Sequence, residues 1–88
     1  MNMDFKTPKN ADLTIEQHLV SCRIRIGENI REIREKKGFN QEKLAEIMNI
    51  SRTTISKIES GKFNCSMDYL AKFSWFLGFD VLFMVKEK

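Results

Sequence analysis

A polar run at residues 51–57 carries the side chains best suited to recognising another molecule. Arg52 and Lys57 present cationic N–H donors, which suit the O6 and N7 acceptors of guanine in a major groove. Ser51 and Thr53 carry short hydroxyls that donate or accept hydrogen bonds, and the Thr53 methyl can contact that of thymine. An ordinary solvated helix face has the same composition, so the meaning of this run depends on the elements that position it.

Few side chains elsewhere could support catalysis or metal binding. His18 and Cys22 lie four residues apart, on one side of an expected helix, and Cys65 is a third possible ligand. Zinc prefers four ligands, and the sequence lacks a CxxC or HxxxH pattern. It also lacks a second histidine, a glycine-rich phosphate loop and a nucleophile elbow. We therefore expect no enzyme activity, no metal site and no cofactor.

Length, composition and charge favour one small folded domain with an anionic partner. The 88 residues are 42% hydrophobic and 31% charged, which excludes a disordered or low-complexity chain. The net charge is +3, and residues 24–65 hold nine basic and six acidic groups. The ends are balanced, so the excess lies in the middle of the chain. This pattern favours binding of an anion there, although a solvated helical face gives similar counts.

The sequence shows no feature of secretion or of membrane insertion. No apolar run approaches the roughly 20 residues that span a bilayer. Asp4, Lys6 and Lys9 precede any apolar stretch, so we expect no signal peptide. Two cysteines are too few for a disulfide scaffold. We expect a cytoplasmic protein with no membrane partner.

Apolar periodicity and capping residues predict a mainly α fold, a compact bundle of four to five helices. The first helix follows a capping box at Thr14 and Gln17, and it is either one long element or two abutting ones. Three more helices follow the caps Asn40, Ser51 and Ser66. The first of these covers residues 41–48, the next ends near Ser60 and Gly61, and the last covers residues 67–77. The second and third are short and joined by a tight turn at Asn49, which is the helix-turn-helix shape, at about residues 41–60.

Each helix has an expected inner face. The first has a stripe at Ile15, Leu19, Cys22, Ile26, Ile30 and Ile33, with Gly27 off the stripe; the second has Leu44, Ala45 and Met48; the third has Ile55 and Ile58. The fourth is apolar on two sides: Met67, Leu70, Ala71, Ser74 and Leu77 form one face, and Tyr69, Phe73 and Phe76 form another, with Trp75 in addition. One face can cover the core, so the other needs a partner.

The segment after Gly78 predicts a β-strand that completes a homodimer. Its β-rich residues lie between Gly78 and a charged end. A lone strand has unpaired backbone groups, which the same strand of a second copy could satisfy across a two-fold axis. The alternatives are pairing with the arm near Phe5 and a frayed tail. The expected dimer contacts are Phe79, Val81, Leu82, Phe83, Met84, Val85, Trp75 and Phe76. The chain thus divides into a flexible arm (1–13), a helix-turn-helix domain (14–78) and a dimerisation strand (79–88).

Residues 30–81 resemble the Cro/C1-type (XRE) helix-turn-helix family. The residues that carry the resemblance are Arg34, Gly38, Gln41, Leu44, Ala45, Ile50, Ser51, Ile55, Ser56, Ile58, Glu59, Gly61, Leu70 and Gly78. The resemblance implies that Ser51, Arg52, Thr53 and Lys57 read bases and that Gln41 grips a phosphate at a helix N-terminus. Thr54, Ser56, Lys62 and Asn64 are further phosphate candidates. Arg34 and Glu59 would form a partly buried structural ion pair.

Two functions follow from the resemblance. The first is a dimeric repressor that binds double-stranded DNA at an inverted-repeat operator. The alternative is an antitoxin that binds a protein toxin and represses its own operon. A strand directly after the last helix looks like HipB-type antitoxins, in which paired strands form a small lid. A role in competence, phage or restriction control is a further alternative.

Overall fold

The computed structural model describes residues 13–85 and contains four helices in that range. They are α1 (Ile15–Lys36), α2 (Gln41–Met48), α3 (Arg52–Glu59) and α4 (Met67–Leu77). Each begins where a side chain accepts a hydrogen bond from the backbone N–H three residues later; the capping residues are Thr14, Asn40, Ser51 and Ser66. All four predicted caps are confirmed, including the capping box of Thr14 and Gln17. The first helix is one continuous element.

The turns that end the helices use left-handed backbone. Gly38 and Gly78 follow α1 and α4 with φ angles of 84° and 75°. Asn49 ends α2 at φ 57°, ψ 46°, the only non-glycine with positive φ among residues 13–85. Asparagine tolerates this region better than most residues. The left-handed Asn49 ends α2 and turns the chain towards α3, which begins at Arg52 and packs against α2.

The core lies among all four helices, beneath the helix-turn-helix. Its buried hydrophobic residues are Ile30, Leu44, Ala45, Met48, Ile55, Ile58, Phe73 and Leu77. The inner faces predicted for α2 and α3 are therefore confirmed. Since Ile55 and Ile58 of α3 pack into this core, the core fixes the orientation of the face that α3 presents to solvent.

Gly27 lies where the backbones of α1 and α3 come close together. It is buried, and a β-carbon there would overlap the carbonyl oxygen of Ile58 and lie 2.6 Å from that of Glu59. The position off the apolar stripe is thus a crossing point between helices. Gly61 makes a similar approach, since a β-carbon there would lie 2.8 Å from a side-chain carbon of Ile24.

The apolar stripe of α1 is covered only over its C-terminal half. Ile30 is buried, and Ile26 and Ile33 pack partly against the core. Ile15 and Leu19 are 63% and 49% exposed. The helical period correctly predicted the helix, but the four-helix body is too small to cover its first turns.

The face predicted for α4 requires a correction. Phe73 and Leu77 are the buried residues, and Tyr69 and Leu70 pack against the core beside them. Met67 is 68% exposed and Trp75 is 81% exposed. The two buried residues of α4 therefore come one from each of its two predicted faces. The reason is that an all-apolar helix offers several stripes, and only the approach of α1 and α2 selects among them.

No strand forms after α4 within the described residues. Phe79 packs partly against the core and its N–H bonds to the Ser74 carbonyl at 3.1 Å. Val81 to Val85 follow without regular structure, and all are exposed. The predicted strand is absent from the single chain because no ladder partner is present there. Residues 1–12 of the predicted arm, with Phe5 among them, lie outside the described residues, as do residues 86–88.

Among residues 13–85, the longest helix is not apolar enough to cross a membrane, and the other three are short.

Candidate nucleic-acid interface

Helix α3 divides its residues between a buried face and a solvent face. Ile55, Ile58 and Glu59 are buried, whereas Arg52, Thr53 and Lys57 are exposed. Within residues 13–85, these three exposed side chains make no hydrogen bond or ion pair. Their donors are therefore available to another molecule. The three lie on two successive turns, so they can contact neighbouring positions of one groove.

Ser51 and Thr54 are already engaged with each other. The Ser51 Oγ accepts the Thr54 N–H at 3.0 Å, and the two side-chain oxygens lie 2.8 Å apart. Ser51 thus caps α3 and is exposed, while Thr54 is partly covered. The Ser51 hydroxyl lies at the edge of the exposed α3 face, and its structural role is to cap the N-terminus of the helix.

The remaining phosphate candidates lie at two places. Ser56 is half-buried on α3, one turn after Thr53. Lys62 and Asn64 are exposed in the connection between α3 and α4, where the Lys62 N–H bonds to the Lys57 carbonyl at 2.9 Å. The backbone of Lys62 is therefore tied to the last turn of α3.

Arg34, Gln41 and Glu59 form one hydrogen-bonded network. The Arg34 Nε and Nη2 donate to the two Glu59 carboxylate oxygens at 2.7 and 3.0 Å. The Gln41 Nε2 donates to Glu59 Oε1 at 2.9 Å. The Arg34 Nη1 donates to the Phe39 carbonyl at 2.8 Å. The network joins α1, the α1–α2 loop, the first residue of α2 and the last residue of α3.

The Arg34–Glu59 pair is buried and bidentate. Their side chains are 8% and 3% exposed. The hydrogen bond to Glu59 raises the pKa of Arg34 against the opposing effect of burial, so the guanidinium stays charged. Removing either partner would leave an uncompensated charge in the interior.

A shallow cavity of about 500 Å³ opens between the N-termini of α2 and α3. Its lining residues are Arg34, Asn40, Gln41, Glu42 and Arg52. Backbone N–H groups at two helix starts, together with Arg52, make this region attractive to an oxyanion. Glu42 is the acidic member of the lining and is exposed.

The thiols and the histidine do not meet as a metal centre. Cys22 Sγ lies 3.5 Å from His18 Nε2 and accepts from Arg25 Nη2 at 3.3 Å. Cys65 lies outside this cluster, and burial raises the pKa of its thiol. Among residues 13–85, no three potential ligands come together.

Sequence reasoning missed two contacts in this region. One is the crossing of Gly27 with the end of α3; a glycine inside a 22-residue helix was the available signal, because it costs about 1 kcal/mol there. The other is the bond from Gln41 to Glu59, which joins residues 18 apart in sequence. No local pattern predicts it.

Residues 30–82 match the model of a helix-turn-helix family. The chain is similar to the control protein C.BamHI of Bacillus amyloliquefaciens, with 44% identity over 59 residues, 66% of this chain and 73% of that protein. It is also similar to YonR, an SPbeta prophage-derived HTH-type transcriptional regulator of Bacillus subtilis (strain 168). That match has 33% identity over 60 residues, 68% of this chain and 56% of that protein.

The fold is similar to the crystal structure of the restriction-modification controller protein C.AhdI from Aeromonas hydrophila. The TM-score is 0.65 at 28% identity, covering 68% of this chain and 91% of that chain. These relatives are controllers and a prophage regulator, so the expected resemblance to HipB-type antitoxins is wrong. The chain belongs to the Cro/C1-type (XRE) helix-turn-helix family and is a DNA-binding transcriptional regulator.

Proposed function

We propose that the chain acts as a homodimer that binds an inverted-repeat operator and represses transcription from it. The observation that carries this proposal is the solvent face of α3. Arg52, Thr53 and Lys57 make no hydrogen bond or ion pair within the described residues, whereas Ile55, Ile58 and Glu59 of the same helix are buried. Such a helix can enter a major groove without any rearrangement of the body.

Base reading is assigned to Ser51, Arg52, Thr53 and Lys57. Arg52 and Lys57 supply the donors that favour guanine, and Thr53 supplies a methyl group for thymine. The first three lie at the start of α3 and Lys57 lies in its last turn, and all four are exposed to solvent. The DNA sequence preference of the protein would come from these contacts.

Contacts with the phosphates of the DNA backbone are assigned to Gln41, Thr54, Ser56, Lys62 and Asn64. These residues surround the α3 face, on the first residue of α2, on α3 itself and in the α3–α4 connection. Phosphate contacts fix the position of the protein without reading sequence. Each phosphate neutralised by a cation steepens the salt dependence of binding by about 0.9 in the log–log slope.

Dimerisation is assigned to the end of the chain. Trp75 is 81% exposed, and Leu82, Phe83 and Val85 are 84%, 94% and 87% exposed. Apolar side chains exposed one after another mark a surface that another chain covers. Pairing of the residue 79–85 segments across a two-fold axis would supply the missing ladder and bury these side chains at the same time.

The relatives favour control of restriction-modification genes as the biological setting. One is named a control protein and another a restriction-modification controller, and both matches cover most of the relative. We propose that the operator lies in the promoter region of such genes. A reporter fused to that promoter should respond to the protein and lose its response when Arg52 is replaced by Ala.

Selection of bound sites from random DNA duplexes tests the function, with sedimentation of the protein alone and in the complex. The expected result is an inverted repeat whose half-sites are centred one helical turn, about 34 Å, apart or a multiple of it, bound by two chains. Binding that shows no preference over bulk competitor DNA, or a strictly monomeric complex on a single half-site, would contradict the proposal.

A further inference from the structure

Glu59 is a shared acceptor for two residues of different kinds. Its Oε1 takes both the Arg34 Nη2 donor at 3.0 Å and the Gln41 Nε2 donor at 2.9 Å. Its Oε2 takes the Arg34 Nε at 2.7 Å. The carboxylate is 3% exposed, so it makes no direct contact with a molecule outside the protein. Its effect on any ligand must pass through the residues that it holds.

Gln41 is not needed to begin α2. That task belongs to Asn40, whose Oδ1 accepts the Lys43 N–H at 2.7 Å. The side-chain amide of Gln41 has two N–H donors, and Glu59 occupies one of them. The second donor remains, on a half-buried residue that lines the cavity between the starts of α2 and α3.

We propose that Glu59 is a positioning residue for DNA binding: it holds the Gln41 amide so that its second N–H donates to a backbone phosphate. This inference rests on the proposed DNA-binding function. The consequence is that the base contacts of α3 and the phosphate contact of Gln41 keep a fixed geometry relative to each other. The last residue of α3, the base-reading helix, directly sets the phosphate donor on the first residue of α2.

The role of Arg34 in this arrangement is electrostatic. An unpaired carboxylate behind Gln41 would repel a phosphate in the cavity. The two donors of Arg34 neutralise it, and the third donor of Arg34 holds the Phe39 carbonyl just before α2. The pair therefore gives Gln41 a strong acceptor without presenting a net negative charge to DNA.

The main test replaces the ion pair with apolar side chains of similar size. Such a swap often preserves or raises stability, so Arg34→Met/Glu59→Leu should fold while leaving Gln41 without its anchor. The matched control is Lys36→Met/Glu32→Leu, which removes an exposed pair on α1 with a separation of 3.7 Å. Affinities are measured for the selected operator and for a random duplex, with folding checked by circular dichroism and thermal unfolding.

We expect Arg34→Met/Glu59→Leu to bind both duplexes about tenfold more weakly, the size of one hydrogen bond to a charged group. Gln41→Ala should show a similar loss, and adding it to the double variant should change little more. The control should stay within about twofold of the natural protein. Full additivity of the losses, or natural affinity in the folded double variant, would overturn the proposal.

A second measurement uses the natural protein, and it tests the positioning role of Glu59 even if Arg34→Met/Glu59→Leu does not fold. The chain has two glutamines, Gln17 and Gln41, so the side-chain amide signals are assigned by comparison with Gln41→Ala. Anchoring by Glu59 should give the Gln41 side-chain amide an order parameter near the rigid-backbone value of about 0.85. A freely rotating Gln41 amide would refute the positioning role, whereas failure of the natural protein to bind DNA at all would refute the proposed function instead.

Discussion

The α-carbon of Gly27 lies against the carbonyl oxygen of Ile58, where the middle of α1 crosses the last turn of α3. A β-carbon on Gly27 would overlap that oxygen and lie 2.6 Å from the Glu59 carbonyl oxygen. Both acceptors are backbone atoms at the end of the base-reading helix. The position of that end therefore depends on the absence of a side chain at residue 27.

We expect Gly27→Ala to destabilise the protein, even though alanine is the better helix former by about 1 kcal/mol. Overpacking against backbone cannot be relieved by a rotamer change, so the free energy of unfolding should fall by about 1–3 kcal/mol. Urea denaturation measures this. The neighbouring exposed substitution Glu28→Ala is the control and should stay within about 0.5 kcal/mol. An increase in stability for Gly27→Ala would show that the helices can separate at no cost.

The local elements of this fold could be predicted from sequence, because their signals are local. Thr14, Asn40, Ser51 and Ser66 each accept a backbone N–H within the same turn, so the capping patterns fixed all four helix starts. Asn49 likewise signalled its own left-handed turn. These features depend on residues no more than four apart, so the capping and turn residues alone predict them.

Features that depend on distant residues could not be predicted in the same way. Which stripe of α4 enters the core is decided by α1 and α2, so Phe73 and Leu77 were not singled out together. The bond between Gln41 and Glu59 requires the helices to be placed first. The base-reading and dimer assignments also remain predictions, since they concern molecules outside the single chain.

Asn49 gives a prediction about the turn of the helix-turn-helix. Its φ of 57° and ψ of 46° suit asparagine or glycine. Asn49→Ala should lower the free energy of unfolding by about 1 kcal/mol, because alanine lacks the short polar side chain that lets asparagine tolerate left-handed backbone. Asn49→Gly is the matched control and should be nearly neutral. Thermal and urea denaturation compare the two; equal losses for both variants would point to a role of the Asn49 side chain instead.

Arg52 gives a prediction about sequence preference. Arg52→Ala should weaken operator binding by about 1–3 kcal/mol and relax the preference at one base pair. The exposed Lys72 on α4 supplies the charge-matched control, since Lys72→Ala removes one positive charge away from α3. Binding to a panel of single-base operator variants measures both effects. An unchanged base preference in Arg52→Ala would remove this residue from base reading.

Trp75 gives a direct report on the dimer, because it is the only tryptophan in the chain and is 81% exposed in one copy. Dimerisation through this surface should bury the indole, so its fluorescence should shift to shorter wavelength as protein concentration rises. Phe83→Glu places a charge on a side chain that is 94% exposed, so it should prevent the shift with little change in the stability of the monomer.

Sedimentation equilibrium of the same samples provides the control. A dimer that forms with no spectral change at Trp75, and that tolerates Phe83→Glu, would place the contact between copies on another face of the molecule.

The division of α3 into two sets of residues has an evolutionary consequence. Ile55, Ile58 and Glu59 maintain the body, whereas the side chains of Arg52, Thr53 and Lys57 make no hydrogen bond or ion pair within the described chain. The second set can therefore vary freely without loss of the first. Related regulators could diverge to recognise different promoters through a handful of changes, and exchanging those positions between two of them should be enough to retarget one to the other's genes.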